Sequence, residues 1–226
     1  MSITKEEQIV LENIRRSGRV PDALRILQKS LTRYFQRDLE YQLRAIIAAK
    51  IPETIGMTEP QFRDMAKELL KPEKGQDNYL VVVGPKLLNP YQFMKHLVWQ
   101  GKTGQNYLHL PNLTDAKDII PNPYLYLIYD AEDGTQMLKV SPDNCIIEFQ
   151  KQDRRGQTWF EGCSSVLQSG TQALDTDKGG HYMDLPGSRY GSGLVPCLSL
   201  WNGEPRLGAS PSGGAGPRYG SASCRS

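Results

Sequence analysis

A repeated tetrapeptide, Arg-Tyr-Gly-Ser, is the most specific chemical feature of the sequence. It occupies residues 189–192 and residues 218–221, in a Gly-rich region with few charges. Two guanidinium groups and the backbone N–H groups of Gly-rich turns can together bind a phosphate or a carboxylate. In a second, purely structural interpretation, each Gly adopts a turn with positive φ and each Tyr packs beside a hairpin. The repeat gives four candidate ligand-binding residues: Arg189, Tyr190, Arg218 and Tyr219.

A second chemistry would use a cysteine nucleophile with a histidine base. Cys197 and Cys224 each follow one copy of the repeat, and His181 precedes the first copy. A thiolate activated by imidazole performs nucleophilic catalysis, but the spacing of these residues does not establish their geometry. An enzyme with Cys197, Cys224 or His181 in a catalytic role is therefore an alternative to a binding protein.

Metal and cofactor motifs are absent from the sequence. Its four cysteines are widely spaced, without a Cys-x-x-Cys pair or zinc-ribbon spacing. The Gly-Lys-Thr-Gly segment at residues 101–104 lacks the upstream glycine of a phosphate-binding loop. Signatures of zinc proteases, serine hydrolases and deaminases are missing as well. We therefore expect neither a metal nor a cofactor.

The charge balance argues against a nucleic-acid partner. Lys and Arg number 27 and Asp and Glu number 25, a net charge of +2 over 226 residues, which gives no electrostatic reason to bind a polyanion. Arg25, Lys29, Arg33 and Arg37 do recur at four-residue steps on a predicted helix. Such a ridge spirals around the helix, which favours a solvated face. Nucleic-acid binding through this ridge remains a second alternative.

The sequence predicts a soluble protein of the cytoplasm. No apolar run approaches the roughly 18 residues of a transmembrane helix, and the first residues, MSITKEEQIVLENIRR, lack the apolar core of a secretory signal. Widely spaced cysteines are then expected to be reduced thiols. The expected partner is an anionic small molecule or another protein, and we expect no contact with a membrane.

Helices are predicted by apolar periodicity and by capping boxes. An amphipathic pattern indicates helices over residues 4–16 and 23–49. Capping boxes mark three further helix starts, at Thr58/Gln61, Asn89/Gln92 and Thr158/Glu161. The helix after Asn89 is expected to run to residue 100, and another helix begins at Ser141–Pro142.

Strands are predicted by β-rich segments between turns. Residues 79–83 read as a buried strand, and residues 124–129 are expected to form a hairpin with residues 137–140. Asn202–Gly203 indicates a tight hairpin between residues 194–201 and 205–209. Pro196 within the first of these two strands predicts an edge strand or a bulge.

These elements predict an α+β fold, with N-terminal helices packed on a mixed, largely antiparallel sheet that has flanking helices. The polar segment before residue 78 suggests two units. They are a helical subdomain over residues 1–77 and a mixed α/β domain over residues 78–226, which ends in the Gly-rich hairpin region.

Three stretches resemble an uncharacterised bacterial family, a domain of unknown function. In the tail, LPGSRYGSGLVPCLSLWNGEPRLG and RYGSASC resemble the family's GSR turn, V-P-[AC]-L strand and closing G-S-A-S-C. Residues 123–146 resemble its P-Y-L stretch and S/T-P helix start, and residues 159–167 resemble its helix with an E-G pair. Residues 210–216 depart from the pattern, because they lack an aromatic residue. The resemblance implies a soluble bacterial protein and supplies no activity or catalytic residue.

The leading functional hypothesis is a non-enzymatic binding or interaction protein. Its Arg/Tyr/Gly-rich C-terminal region would form the ligand pocket or the partner surface. An enzyme with a Cys/His or Arg/Tyr site is the alternative.

Overall fold

The structure, a computed structural model, describes residues 39–74, 76, 78–115 and 120–225. Its helices are α1 (Leu39–Ala48), α2 (Ile51–Thr54), α3 (Glu59–Leu69), α4 (Pro90–Met94), α5 (Pro142–Lys151) and α6 (Trp159–Ser169). The expected helix over residues 4–16, the first part of the helix expected over residues 23–49, and the basic ridge of Arg25, Lys29, Arg33 and Arg37 lie outside the described residues.

The strands are short, and most of them pair with antiparallel neighbours. In chain order they are β1 (Tyr79–Val83), β2 (Val98–Trp99), β3 (Lys102–Thr103), β4 (Gln105–Asn106), β5 (Leu113–Asp115), β6 (Leu125–Tyr129), β7 (Arg154–Gly156), β8 (Tyr182–Asp184), β9 (Ser188–Tyr190), β10 (Leu194–Trp201), β11 (Glu204–Pro211), β12 (Tyr219–Ser221) and β13 (Ser223–Arg225). Several mostly antiparallel sheets alongside helices confirm the predicted α+β class.

All three predicted capping boxes are present. At the start of α3, the Thr58 side chain accepts a hydrogen bond from the backbone N–H of Gln61, and the Gln61 side chain accepts one from the N–H of Thr58. Asn89 and Thr158 make the same reciprocal contacts at the starts of α4 and α6. Each box satisfies N–H groups that the first helical turn leaves unpaired, which is why these starts are readable locally.

The largest sheet has five strands in the order β12-β8-β10-β11-β4. Strands β10 and β11 form the predicted hairpin, in register from Leu194↔Pro211 to Trp201↔Glu204. Its turn residues, Asn202 and Gly203, both have positive φ, of 51° and 71°, as a tight hairpin turn requires. Strand β8 pairs antiparallel with β10, whereas β12 pairs parallel with β8 and β4 pairs parallel with β11.

Pro196, expected in an edge strand or at a bulge, lies instead in an interior strand, because β8 and β11 flank β10 and the β10–β11 register is continuous. The Pro196 carbonyl accepts a hydrogen bond from Leu185. The ring nitrogen of Pro196 points to the same side of β10 as this carbonyl, toward the chain that follows the end of β8. The missing N–H therefore removes no bond of the β10–β11 hairpin, and an interior proline is tolerated.

The hairpin expected between residues 124–129 and 137–140 is wrong. Strand β6 pairs with β1 instead, from Tyr79↔Tyr129 to Val83↔Leu125, and a 3-10 turn forms at Thr135–Met137. The connecting loop bonds elsewhere, since Glu132 and Ser223 exchange backbone hydrogen bonds of 2.8 and 3.0 Å. Pairing with distant strands thus outcompetes the local return strand.

The helix expected from Asn89 to residue 100 is too long. Helix α4 ends at Met94, and β2 and β3 then form a small hairpin. Gln100 and Gly101 have φ of 48° and 81° and make its turn. Gly101 therefore lies in the turn of a β-hairpin and does not terminate a helix.

The helical front and the rest of the described chain share one hydrophobic core. Leu43, Ile46 and Phe62 from the front pack in the same cluster as Leu80 of β1 and Phe160 of α6. Gln42 of α1 also donates to the carbonyl of Tyr79 and accepts from the N–H of Val81. Among the described residues, no helix has both the length and the apolar composition to cross a bilayer.

Candidate functional site

One row of side chains crosses the five-stranded sheet near the turn of the β10–β11 hairpin. The register pairs Tyr219 with Tyr182, Ser199 with Arg206, and Arg206 with Gln105. Extending the β8–β10 register by one position places Tyr182 opposite Ser199. Because paired residues in a sheet point to the same face, one face presents a residue from each of the five strands.

Aromatic side chains on this face are accessible to solvent. Trp201 is two positions beyond Ser199 on β10 and is 52% exposed, and Tyr107, just after β4, is 51% exposed. Tyr182 and Tyr219 are partly buried. The open sheet face is defined here by six residues: Tyr107, Tyr182, Ser199, Trp201, Arg206 and Tyr219.

The guanidinium of Arg206 lies over the ring of Tyr107. Its guanidinium carbon lies 4.4 Å from the ring centroid, and Nη2 donates to the Tyr107 hydroxyl at 2.9 Å. The nearest carboxylate contact is long, with 3.9 Å between Arg206 Nε and Glu204 Oε1. Arg206 is therefore positioned by stacking on an aromatic ring more than by an ion pair.

The opposite side of the open sheet face is built by the second copy of the repeat. The rings of Tyr182 and Tyr219 pack edge to face, with centroids 4.7 Å apart. The carbonyl of Arg218 accepts from the N–H of Tyr182 at 2.8 Å, so backbone pairing fixes Arg218 at the edge of the sheet. Its exposed guanidinium makes one long contact, 3.4 Å to Thr176 Oγ1. Burial raises the pKa of Tyr219.

The same face of the sheet is closed at its other end, where polar groups are buried. Asp184 is 1% exposed and accepts a hydrogen bond from the Ser210 hydroxyl. Burial raises the pKa of Asp184 to about 6, because desolvation disfavours its charged form. The thiol of Cys197, opposite Asp184 in the register, has a pKa raised well above its usual value, first by burial and then by the Asp184 charge.

The predicted catalytic residues do not form an activated pair. Cys197 and Cys224 are both buried, and burial is the main cause that raises the pKa of Cys224 to about 12. His181 is 4% exposed, and its Nε2 lies 2.7 Å from the carbonyl oxygen of Asp133. A nucleophilic cysteine needs a lowered pKa and access to substrate. The thiol alternative stays an untested prediction that this geometry does not favour.

The two copies of the repeat lie in different surroundings. In the first copy, Arg189 Nη2 lies 3.4 Å from Asp143 at the start of α5, and the Tyr190 hydroxyl accepts from the N–H of His109 at 3.2 Å. That copy pairs with β5, whereas the second pairs with β8 at the edge of the five-stranded sheet. Of the four predicted binding residues, Tyr219 therefore belongs to the open sheet face and Arg218 adjoins it, whereas Arg189 and Tyr190 lie elsewhere.

Sequence analysis missed Tyr107, Tyr182, Trp201 and Arg206 as site residues. Part of the signal was local, because Arg206 lies between the buried residues Pro205 and Leu207 on β11, and Ser199 follows the buried Leu198 on β10. The rest was not readable, because β4 and β8 join this hairpin from distant positions in the chain. Within the described ranges, no group of three or more His, Cys, Asp or Glu side chains could hold a metal ion.

A family profile matches most of the chain. The profile of a family of unknown function, DUF5701, matches residues 45–221. This confirms the resemblance to an uncharacterised family and extends it into the helical front. No curated protein and no solved structure matches the chain.

Proposed function

We propose that this chain, which belongs to the family of unknown function DUF5701, is a non-enzymatic binding protein whose ligand lies on the open sheet face. The observation that supports this most directly is the exposure of Trp201 and Tyr107, at 52% and 51%, together with the guanidinium of Arg206 over the Tyr107 ring. Large aromatic and Arg side chains supply most of the binding free energy in recognition surfaces.

The open sheet face is held in place before any ligand binds. Backbone pairing on five strands fixes the row, and the contacts of Arg206 with Tyr107 and of Tyr182 with Tyr219 restrict their side chains. A rigid recognition surface loses less conformational entropy on binding than a flexible loop. This rigidity supports binding, whereas the buried thiols give no support to covalent catalysis.

We also propose a cytoplasmic location in a bacterium. All four cysteines are free and buried, which suits a reducing compartment. The bacterial assignment rests on the resemblance of the tail and middle motifs alone.

The test compares wild type with a Tyr107→Ala/Trp201→Ala variant. A panel of defined oligosaccharides, peptides, nucleotides and single-stranded oligonucleotides is titrated, with thermal shift and fluorescence anisotropy as readouts. We expect at least one ligand to bind wild type and to lose about tenfold or more in affinity with the variant, because two exposed rings are removed.

A Tyr124→Ala variant is the matched control, since Tyr124 is 46% exposed outside the open sheet face. It should retain full affinity. If every ligand that binds wild type binds the double variant equally well, the open sheet face is not the recognition surface and the proposal is wrong.

A further inference from the structure

We propose that the open sheet face binds single-stranded nucleic acid, by stacking bases on its aromatic rings. The inference rests on the proposed binding function and adds a ligand class to it. Proteins that bind single strands combine aromatic platforms for the bases with cationic groups for the backbone, and sheet faces are a common platform.

The dimensions of the face suit a few nucleotides. Neighbouring strands lie about 4.8 Å apart, so the five-stranded sheet spans about 19 Å from the strand of Tyr219 to the strand that precedes Tyr107. Aromatic rings lie on both flanks of this span, and Trp201 lies between them on β10. An extended face suits a chain ligand better than a small molecule, which binding proteins usually enclose in a cavity.

Cationic groups adjoin the rings. The guanidinium of Arg206 lies on the Tyr107 ring, and Arg218 is exposed at the other flank. Lys102 reaches the hairpin turn, where its Nζ donates to the Asn202 carbonyl at 2.7 Å. Stacked guanidinium groups bind phosphate and also present a flat surface to bases.

Two carboxylates partly offset these charges. Glu204 accepts from the Tyr107 hydroxyl at 3.3 Å, and Asp177 is exposed next to Thr176, the contact of Arg218. The local surplus of positive charge is therefore small, in keeping with a net charge of +2 for the chain. Stacking must then supply most of the affinity, and the dependence on salt must be shallow.

The small surplus of positive charge predicts how strongly the binding affinity depends on salt concentration. Neutralising about three phosphates of a single strand gives a slope of log affinity against log salt of about −2. Affinity should therefore fall about 15-fold between 50 and 200 mM salt. Binding through a continuous basic ridge would fall more steeply.

The experiment measures fluorescence anisotropy of labelled oligo-dT and oligo-U of about 12 nucleotides with the full chain. We expect the protein to bind both oligonucleotides. Trp201→Ala and Tyr107→Ala should each weaken binding about tenfold, because each variant loses one aromatic ring on which a base stacks. Arg206→Lys keeps the charge but loses the planar guanidinium, and should weaken binding more than Lys102→Arg.

Controls separate this ligand class from the proposed function. Tyr124→Ala should bind as wild type, a duplex of the same length should bind more weakly, and circular dichroism should show that every variant remains folded. No binding of either oligonucleotide, or equal binding of duplex and single strand, overturns the ligand class. If a peptide or sugar of the panel instead depends on Trp201 and Tyr107, the proposed function stands without nucleic acid.

Discussion

At the scale of single residues, burial decides what each polar group can do. Asp184 and Cys197 face one another in the closed part of the sheet, where desolvation raises both pKa values. The buried Glu161 forms an ion pair with the partly buried Arg155, with 2.7 Å between Nη2 and Oε1, and the Tyr126 hydroxyl also donates to Glu161 at 2.6 Å. These polar groups lie in the protein interior, whereas the rings of Trp201 and Tyr107 are exposed.

Asp184 should make stability depend on pH. Its pKa of about 6 in the folded state exceeds the roughly 3.9 of an unfolded Asp. Between these values the folded protein keeps a proton that the unfolded chain releases, so the Asp184 contribution to the free energy of unfolding falls as pH rises from about 4 to about 6. Above pH 6 the loss is complete, at about 2–3 kcal/mol.

Asp184→Asn isolates this contribution, because Asn stays neutral and its oxygen can still accept from Ser210. In urea unfolding, we expect the variant to gain about 2 kcal/mol over wild type between pH 4 and pH 7. Asp177→Asn, at an exposed position, should show no such trend. A stability difference between Asp184→Asn and wild type that is the same at both pH values would contradict the prediction.

At the scale of elements, the two repeat copies show that an identical tetrapeptide sequence does not specify an identical backbone conformation. Gly191 has φ of 57° and open space around its Cα, whereas Gly220 in β12 is extended and packs against the backbone of Gly134. The structural interpretation of the repeat, with positive φ at each Gly, therefore holds for the first copy and fails for the second. The sheet partner determines the backbone conformation in each case.

The two glycines should respond differently to substitution. Gly220→Ala places a Cβ against the Gly134 carbonyl, so the backbone must shift at a cost of about 2–3 kcal/mol. Gly191→Ala meets no neighbour and only has to adopt a positive φ, at about 1 kcal/mol. Urea unfolding of both variants measures the difference, and equal losses would show that the contact between Gly220 and Gly134 is unimportant.

At the scale of the whole molecule, the division into two units at residue 78 stays a prediction. The shared core allows a test of whether these two units unfold together. Phe62 of α3 is fully buried in the cluster that also contains Leu80 and Phe160. All three tryptophans lie outside the helical front. Their fluorescence therefore reports on the second unit alone.

Phe62→Ala should destabilise both units together. We expect a loss of about 3–5 kcal/mol, with coincident shifts of the urea midpoint by tryptophan fluorescence and by far-ultraviolet circular dichroism. Glu68→Ala, on the exposed side of the same helix, should leave both midpoints in place. A fluorescence midpoint that does not move with Phe62→Ala would mean that the helical front folds independently.

The sequence alone determined the features whose interactions span a few residues. The capping boxes at Thr58, Asn89 and Thr158, the Asn202–Gly203 hairpin and the α+β class were all readable, because caps and tight turns form between near neighbours in the chain. Only the tertiary structure decided which strands pair. It joined β6 to β1, placed Pro196 in an interior strand, and brought β4, β8 and β12 to the hairpin. The open sheet face exists only through those distant pairings, because no local pattern specifies which strands will flank the hairpin, β8 beside β10 and β4 beside β11.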